Sequence, residues 1–165
     1  MIVIIVIVVL AILSIGGWLV SKYVLNRVAE ETAESIFEGA TGGEVDIDSS
    51  GENVSFSSED GSFSVSGDKT WPTDMPSSVP EFKYGTVEAS SKSSSDDGSG
   101  WTVSLVKVKA GAYDSYKQDL VGASWTESGT ITSEMKMANM ENDEYYLTFT
   151  VDESDNTGSL IVTVK

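Results

Sequence analysis

The sequence predicts an α+β protein: a long N-terminal hydrophobic helix followed by a mainly antiparallel β head with one short internal helix. Three observations predict this class. Residues 1–21 form an uncharged, almost wholly apolar stretch, a helical repeat of apolar residues follows it, and a two-residue repeat begins near Glu44. We therefore place one boundary in the chain, between an apolar-to-amphipathic helix at residues 1–43 and a β-rich head at residues 44–165.

The first predicted element is a helix of membrane length. A helix rises about 1.5 Å per residue, so roughly 20 apolar residues cross a bilayer core. The first cations, Lys22 and Arg27, come after the apolar stretch, whereas a signal or signal-anchor carries its basic residues before it. We interpret Met1 as a mature N-terminus from which a basic leader was removed. A start codon at Met1 would instead favour a simple membrane anchor.

The helical pattern continues past the apolar stretch and becomes amphipathic. Apolar residues recur at three- and four-residue steps as far as Phe37, and glycines within residues 39–43 end the pattern. Gly16 and Gly17 predict either a bend or a close approach of packed helices, and the sequence favours neither. The residues expected to carry assembly are Ile2, Ile5, Val8, Ile12, Ile15, Gly16, Gly17, Leu19, Leu25 and Val28.

The elements of the head follow from alternating apolar residues and from turn residues. Three short strands are predicted between Val45 and Val65, with a hairpin turn at residues 59–61. All three prolines lie in residues 71–80, which predicts a stiff irregular connector. A loop is predicted at 91–100, and a helix at 112–124 should bury Tyr113, Tyr116, Leu120 and Val121. The remaining strands are predicted at 81–90, 101–109, 126–138, 144–151 and 159–164, which makes seven or eight in one sheet or sandwich.

The composition excludes several classes of function. Ten Lys and Arg against 26 Asp and Glu give a net charge of -16, which repels phosphate backbones, so we expect no nucleic-acid partner. The chain has no histidine, the commonest general base and transition-metal ligand, and no cysteine for disulfides or thiolate metal sites. We expect neither an enzyme nor a cofactor. The acidic head suits exposure outside the cell, although a salt-adapted organism would show a similar balance.

The layout of residues 1–43 resembles the type IV pilin class, in which an apolar mature N-terminus opens a long helix that carries a β-rich head. Many bacterial pilins have a glutamate at the fifth mature position. Here that residue is Ile5, and archaeal members of the superfamily commonly lack the acid. Separately, Trp71 to Gly85, with Tyr113 to Tyr116 and Trp125, is similar to a module of uncharacterised membrane-anchored bacterial proteins, a resemblance that implies no activity.

The resemblance implies a structural subunit of an extracellular pilus-like filament. Its hydrophobic helices would leave the membrane and bundle with copies of themselves, while the acidic heads form the outer wall. The expected partners are therefore the chain itself and, before assembly, the membrane. The expected location is an extracellular filament or the cell surface. The alternative is a single-pass membrane-anchored extracellular domain that binds a ligand.

Several patterns in the head are weak candidates for a site, and we assign no catalytic, cofactor or metal residue from them. Asp46 to Gly51 matches the first half of a calcium loop, but the twelfth position is Ser57, so a hairpin turn is the simpler interpretation. The acidic turn at residues 152–155 is expected to be solvated. A serine paired with a lysine cannot be recognised from spacing in so serine-rich a chain.

Three further patterns concern carboxylates, aromatic residues and glycosylation. The carboxylates Glu81, Glu88 and Glu134 lie in predicted strands and offer a possible pair for glycoside hydrolysis. Asn53-Val54-Ser55 matches a glycosylation acceptor. An aromatic binding face is possible, although such residues more often belong to a core or cover a sheet. Its members would be Trp71, Trp101, Trp125, Tyr84, Tyr113, Tyr145 and Tyr146.

Overall fold

The structure, a computed structural model, describes residues 44–47, 53–58, 61–96, 98–133 and 135–165. These residues form nine strands and one helix. In chain order the elements are β1 (Glu44–Ile47), β2 (Asn53–Ser58), β3 (Gly61–Ser66), β4 (Thr86–Ser95), β5 (Gly98–Val106), α1 (Ala112–Gly122), β6 (Thr126–Thr132), β7 (Met135–Glu141), β8 (Tyr145–Asp152) and β9 (Thr157–Val164).

The described strands build a single antiparallel sheet with the order β1-β2-β3-β4-β5-β9-β8-β7-β6. Strands β1 to β5 form one meander, and β6 to β9 form another. The two meanders join where β5 pairs with β9. Helix α1 lies between β5 and β6 in the chain, so it carries the backbone across the sheet to the opposite edge.

The predicted α+β class is wrong. The described part of the chain is mainly β, with a helix of only 11 residues, and none of its helical residues forms a stretch long and apolar enough to cross a membrane. The predicted hydrophobic helix at residues 1–43, with all its assembly residues from Ile2 to Val28, lies outside the described residues. The head was predicted correctly as antiparallel β with one short helix, because its alternation and turns are local signals.

One face of the sheet, which we call the covered face, carries the hydrophobic core. Alternate residues of the central strands point to this face and are at most 8% exposed. Helix α1 adds its buried residues Tyr113, Tyr116 and Leu120. The rings of Tyr116 and Phe149 pack edge to face with their centroids 4.8 Å apart. The other core residues from these strands are Val87, Trp101, Val103, Leu105, Ala138, Met140, Leu147, Val151, Leu160 and Val162.

The proline-containing connector covers the rest of this face. It forms no strand, as predicted, and places Met75, Val79 and Phe82 in the core. Two hydrogen bonds fix it: the Tyr116 hydroxyl donates to the Pro80 carbonyl at 2.8 Å, and the Trp125 indole Nε1 donates to the Ser78 carbonyl at 2.7 Å. Loss of such a donor to a carbonyl shielded from water costs up to about 1–3 kcal/mol, so these bonds tie the connector to α1 and to the residue that precedes β6.

The boundaries of β4 and β5 correct two predictions. Residues 81–85 belong to the connector and not to a strand, whereas residues 91–95 and 98–100, predicted as a loop, continue the two strands. Their serines lack apolar alternation, but they pair in register with β3, Ser91 opposite Val65 and Ser93 opposite Phe63. The hydrogen bonds to a neighbouring strand, which local pattern does not reveal, extend this hairpin.

The segment after α1 corrects two more predictions. Residues 126–138, predicted as one strand, divide into β6 and β7, which pair with each other as a hairpin. The helix ends at Gly122 and not at residue 124, and Val121 is 57% exposed although it was predicted to be buried. The helix has four core-facing residues, spaced so that Val121 points away from the sheet.

The side of the sheet that carries apolar residues reverses between β3 and β5. Ser64 lies opposite Lys92, and Lys92 lies opposite Trp101, so Ser64 shares the covered face with Trp101 because paired residues point to the same side. Phe63 and Val65 therefore point to the opposite face. Past the core, the covered face consequently becomes a surface of serines.

Candidate binding site

A pocket forms on the covered face where the core meets this serine surface. Its volume is about 190 Å³. Strands β3 and β4 form its floor. Residues 68–74, which lead from β3 into the connector, form its rim. We call this cavity the Trp101 pocket. Its lining residues are Ser64, Ser66, Asp68, Thr70, Trp71, Pro72, Thr73, Asp74, Ser90, Ser91, Lys92 and Trp101.

Two tryptophans and a set of hydroxyl groups define the chemistry of this lining. Trp101 is 7% exposed, and Trp71 is half-buried against the core. Six of the twelve lining residues are Ser or Thr. Each hydroxyl can donate one hydrogen bond and accept two. The pocket therefore combines apolar indole surface with many adaptable hydrogen-bonding groups.

An ion pair lies across the pocket. Lys92 Nζ is 2.8 Å from Asp74 Oδ2 and 5.5 Å from the centroid of the Trp101 ring. The hydrogen bond from Lys92 lowers the pKa of Asp74, while partial burial acts in the opposite direction. Both side chains keep more than a third of their surface exposed, so the pair is worth at most about 1 kcal/mol. Its main effect is to tie the connector to β4.

The indole nitrogen of Trp101 is a buried donor in this lining. It makes no hydrogen bond of standard geometry with the described residues, although it lies near enough to the Asp74 carboxylate to help lower its pKa. Because the nitrogen is itself buried, an incoming acceptor can satisfy it only after a neighbouring side chain of the lining shifts.

Asp68 adds a second carboxylate at the rim. Its backbone N–H donates to Ser66 Oγ at 3.3 Å, and Asn53 Nδ2 donates to Asp68 Oδ1 at 3.5 Å. The lining thus holds two carboxylates and one ammonium, and the ammonium of Lys92 is already bound by Asp74. The residues that line the pocket therefore offer no unpaired cation to an anionic ligand.

The Trp101 pocket does not have the arrangement of a Ser-Lys catalytic site. A lysine that acts as a base is desolvated and kept away from carboxylates. Lys92 is instead 37% exposed and paired with Asp74, and Ser64 is exposed. Lys92 is therefore not placed to act as the base for a serine of this pocket.

Most of the aromatic residues that were predicted to form a binding face belong to the core or pack against it, and two of them line the pocket. Trp125 and Tyr113 are buried in the core, Tyr84 and Tyr145 pack against it, and Tyr146 is 52% exposed. Tyr84 donates a 2.8 Å hydrogen bond to Asp119, which raises the pKa of the Tyr84 hydroxyl. Of the seven predicted members of the face, Trp71 and Trp101 line the pocket together. The interpretation that most such residues serve the core is confirmed.

Two carboxylates of the acidic turn between β8 and β9 are bound by neighbouring groups of the chain. Asp152 Oδ1 accepts hydrogen bonds from the backbone N–H and the hydroxyl of Ser154 and from the backbone N–H of Asp155, and these bonds lower the pKa of Asp152. Glu153 pairs with Lys136 at 3.0 Å. The solvated turn stays a prediction.

The other carboxylate candidates do not gather into a site in the described structure. Glu81 is exposed in the connector, Glu88 is exposed at a bulge of β4, and Glu134 lies outside the described residues. No group of three or more acidic side chains that could hold a metal ion occurs within the described ranges. A second depression, of about 550 Å³, is lined by Glu141, Asp143, Glu144 and Lys165 among others, and Lys165 is engaged by Glu141 at 2.9 Å.

Two sequence patterns lie at β1 and β2. Asp46 pairs with Ser55 in the β1–β2 ladder, and residues 48–52 of the calcium-loop pattern lie outside the described residues, so calcium at this position stays a prediction. Asn53, the possible glycosylation acceptor, is half-buried at the start of β2. Its amide faces Asp68.

Comparison with other proteins adds no identification. No family model, curated protein or solved structure matches this chain. The resemblance to type IV pilins therefore stays a prediction.

Sequence reasoning missed most of the Trp101 pocket. It named Trp71 and Trp101, but not Asp74, Lys92 or the serines of β3 and β4. Ser90 and Lys92 were placed respectively at the end of a strand and in a loop, whereas both lie on the covered face of β4. Phe63 and Val65 point to the face opposite to the core residues of β5. Recognising this from the sequence would have predicted the serine surface.

The Asp74–Lys92 pair predicts a pH-dependent effect of one substitution. We expect Asp74→Asn to lower the free energy of unfolding by about 0.5 kcal/mol near neutral pH. The folded-state pKa of Asp74 lies below its ordinary value of 3.8. The stabilisation by the Asp74 carboxylate is therefore fully present above pH 3.8, and it is lost as the pH falls through the lower pKa of the folded state.

Denaturant unfolding of both proteins between about pH 6 and pH 3 measures this loss. The difference between wild type and Asp74→Asn should shrink toward zero at the acid end. Asp96→Asn, at an exposed turn position, serves as the control and should show little difference throughout. A wild-type advantage over Asp74→Asn that stays constant down to the acid end would contradict the assignment.

Proposed function

We propose that the chain is a cell-surface binding protein whose acidic β domain takes up a ligand in the Trp101 pocket. The observation that carries the proposal is the pocket itself, in which indole surface, a buried indole N–H and several Ser and Thr hydroxyls of the covered face and the rim lie together. Pockets that bind small ligands combine apolar walls with a few polar groups in the same way.

The remainder of the proposal comes from the sequence. The uncharged apolar stretch at residues 1–21 suits attachment to a membrane, and the net charge of -16 suits display in water outside the cell. The same charge argues against nucleic acid as a partner. The proposed role is binding without catalysis, and it requires no cofactor.

A thermal-shift screen of the full chain tests this function. The detergent should be lauryldimethylamine oxide, which has no sugar head group. The screen uses neutral sugars, short peptides, nucleosides and divalent cations. A ligand at 100 times its dissociation constant stabilises the folded state by about 2.7 kcal/mol. We expect one class to raise the melting temperature of the wild type and not of Trp71→Ala. If no class does so, or if the shift persists in the variant, the binding function is wrong.

A second function is favoured by the N-terminal sequence. Its 21 uncharged residues, and the resemblance to pilins, support a subunit of an extracellular filament that polymerises by burying its apolar N-terminal segments against one another. Such filaments should persist in 1 M salt, where electrostatic range falls to about 3 Å, and should dissolve in detergent. Negative-stain microscopy under both conditions distinguishes a filament from a membrane-bound monomer.

A further inference from the structure

We propose that the ligand of the Trp101 pocket is a neutral saccharide, held as a single sugar ring such as the end of a glycan chain. This inference rests on the proposed binding function and adds to it the chemical class of the ligand. Four properties of the pocket support it: its size, its charge, its hydroxyl content and the placement of its two indoles.

The size of the cavity favours one ring. Its volume of about 190 Å³ lies below the roughly 300 Å³ at which pockets for drug-sized ligands begin. A folded peptide segment or a nucleotide needs more room than this, whereas one six-membered sugar ring is a small, compact ligand. A longer glycan would place one terminal ring in the pocket and leave the others in solvent.

The charges of the lining favour a neutral ligand. Asp68 and Asp74 outnumber Lys92, and Lys92 already binds Asp74 at 2.8 Å. An anionic sugar or a free amino acid would need a cation for its carboxylate, and it would also approach a chain of net charge -16. A neutral polyol meets neither obstacle, and carboxylates accept hydrogen bonds from its hydroxyls.

The hydroxyl groups and the indoles match the two kinds of surface that a sugar presents. Sugar hydroxyls donate and accept hydrogen bonds, as do Ser64, Ser66 and Ser90 of the covered face and the Thr residues of the rim. The C–H faces of a pyranose are apolar and pack well on an aromatic ring, for which Trp71 is half-buried at the rim. Because the Trp101 Nε1 is itself buried, it gains a hydroxyl oxygen or the ring oxygen as acceptor once a neighbouring side chain of the lining shifts to admit the sugar.

Isothermal titration calorimetry on the full chain in lauryldimethylamine oxide tests the proposal. The probes are methyl glucoside, methyl galactoside, methyl mannoside and N-acetylglucosamine, with glucuronate as the anionic sugar and triglycine as the peptide. We expect at least one neutral sugar to bind, and glucuronate and triglycine to bind at least tenfold more weakly or not at all.

Three tryptophan variants locate the binding. Trp101→Phe keeps a ring and removes the buried N–H, so affinity should fall about fivefold. Trp71→Ala removes the aromatic wall, and a fall of roughly tenfold is expected. Trp125→Phe is the matched control, since it removes a buried indole N–H that donates to Ser78 outside the pocket. Its affinity should stay within about twofold of the wild type.

The outcomes separate the two proposals. Neutral-sugar binding that weakens in Trp101→Phe and Trp71→Ala, but not in Trp125→Phe, supports the saccharide assignment. If Trp101→Phe fails to fold, Asp74→Asn serves as the pocket variant in its place. The Asp74 side chain is 47% exposed, so this substitution should leave the fold intact. Triglycine binding that depends on the same residues would overturn the saccharide class and leave the binding function standing. Absence of binding by every neutral sugar, or equal binding by all variants, would also overturn the saccharide class.

Discussion

Replacing Phe149 with alanine should destabilise the β domain by about 3–5 kcal/mol, the largest effect that we expect of any single substitution. Phe149 has no exposed surface and lies at the centre of the core. Its ring is 4.8 Å from that of Tyr116, 5.7 Å from that of Phe82 and 6.1 Å from that of Tyr113. Truncation therefore removes contacts to the sheet, to α1 and to the connector at once.

Guanidinium unfolding of the full chain in detergent, followed by near-UV circular dichroism, measures this loss. Tyr146→Ala is the matched control, because Tyr146 is an aromatic residue of the same strand but is 52% exposed. Its loss should cost less than about 1 kcal/mol. Comparable losses in the two variants would mean that the assignment of the covered face of β8 is wrong.

Replacing Gly158 with alanine should cost about 1–3 kcal/mol through overpacking. A Cβ at this position would lie 2.8 Å from the Thr150 carbonyl oxygen and 3.6 Å from Leu105 Cδ1. The first of these atoms belongs to the backbone of β8, which pairs with β9 along its whole length. Relief of the clash therefore requires the two strands to separate locally.

Gly122→Ala is the control for this substitution. No atom lies within 4 Å of a Cβ built on Gly122, at the last residue of α1, and alanine favours helix by up to about 1 kcal/mol over glycine. The control should be as stable as the wild type or slightly more stable. If Gly158→Ala has the same midpoint denaturant concentration of unfolding as the wild type, β8 and β9 do not approach each other so closely at this residue.

Local signals in the sequence predicted the elements of the head well. The alternation in β2, β3 and β8, the prolines of the connector and the three-residue spacing of Tyr113 and Tyr116 each depend on neighbours in the chain. Such patterns place strands and helices without knowledge of the fold. They also placed strands at 144–151 and 159–164, close to β8 and β9, which pair with each other in the structure.

Sequence patterns did not predict the features that depend on pairing between strands far apart in the chain. Ser91 and Ser93 extend β4 because β3 pairs with them, and they carry no apolar signal of their own. The reversal of the apolar side between β3 and β5 depends on strand register across three strands, which alternation within one strand cannot show. The Trp101 pocket results from that reversal, so only its two tryptophans could be singled out beforehand.

The most direct test of the binding account is the indole N–H spectrum of the protein. Proton–nitrogen NMR of the full chain in lauryldimethylamine oxide gives one signal for each of the four tryptophans. The variants Trp101→Phe, Trp71→Ala and Trp125→Phe assign three of them. On addition of the neutral sugar that binds, we predict that the Trp101 and Trp71 signals shift. The Trp125 signal, whose N–H donates to Ser78 at 2.7 Å, should stay in place. Signals of Trp101 and Trp71 that do not move at saturating sugar would contradict the account.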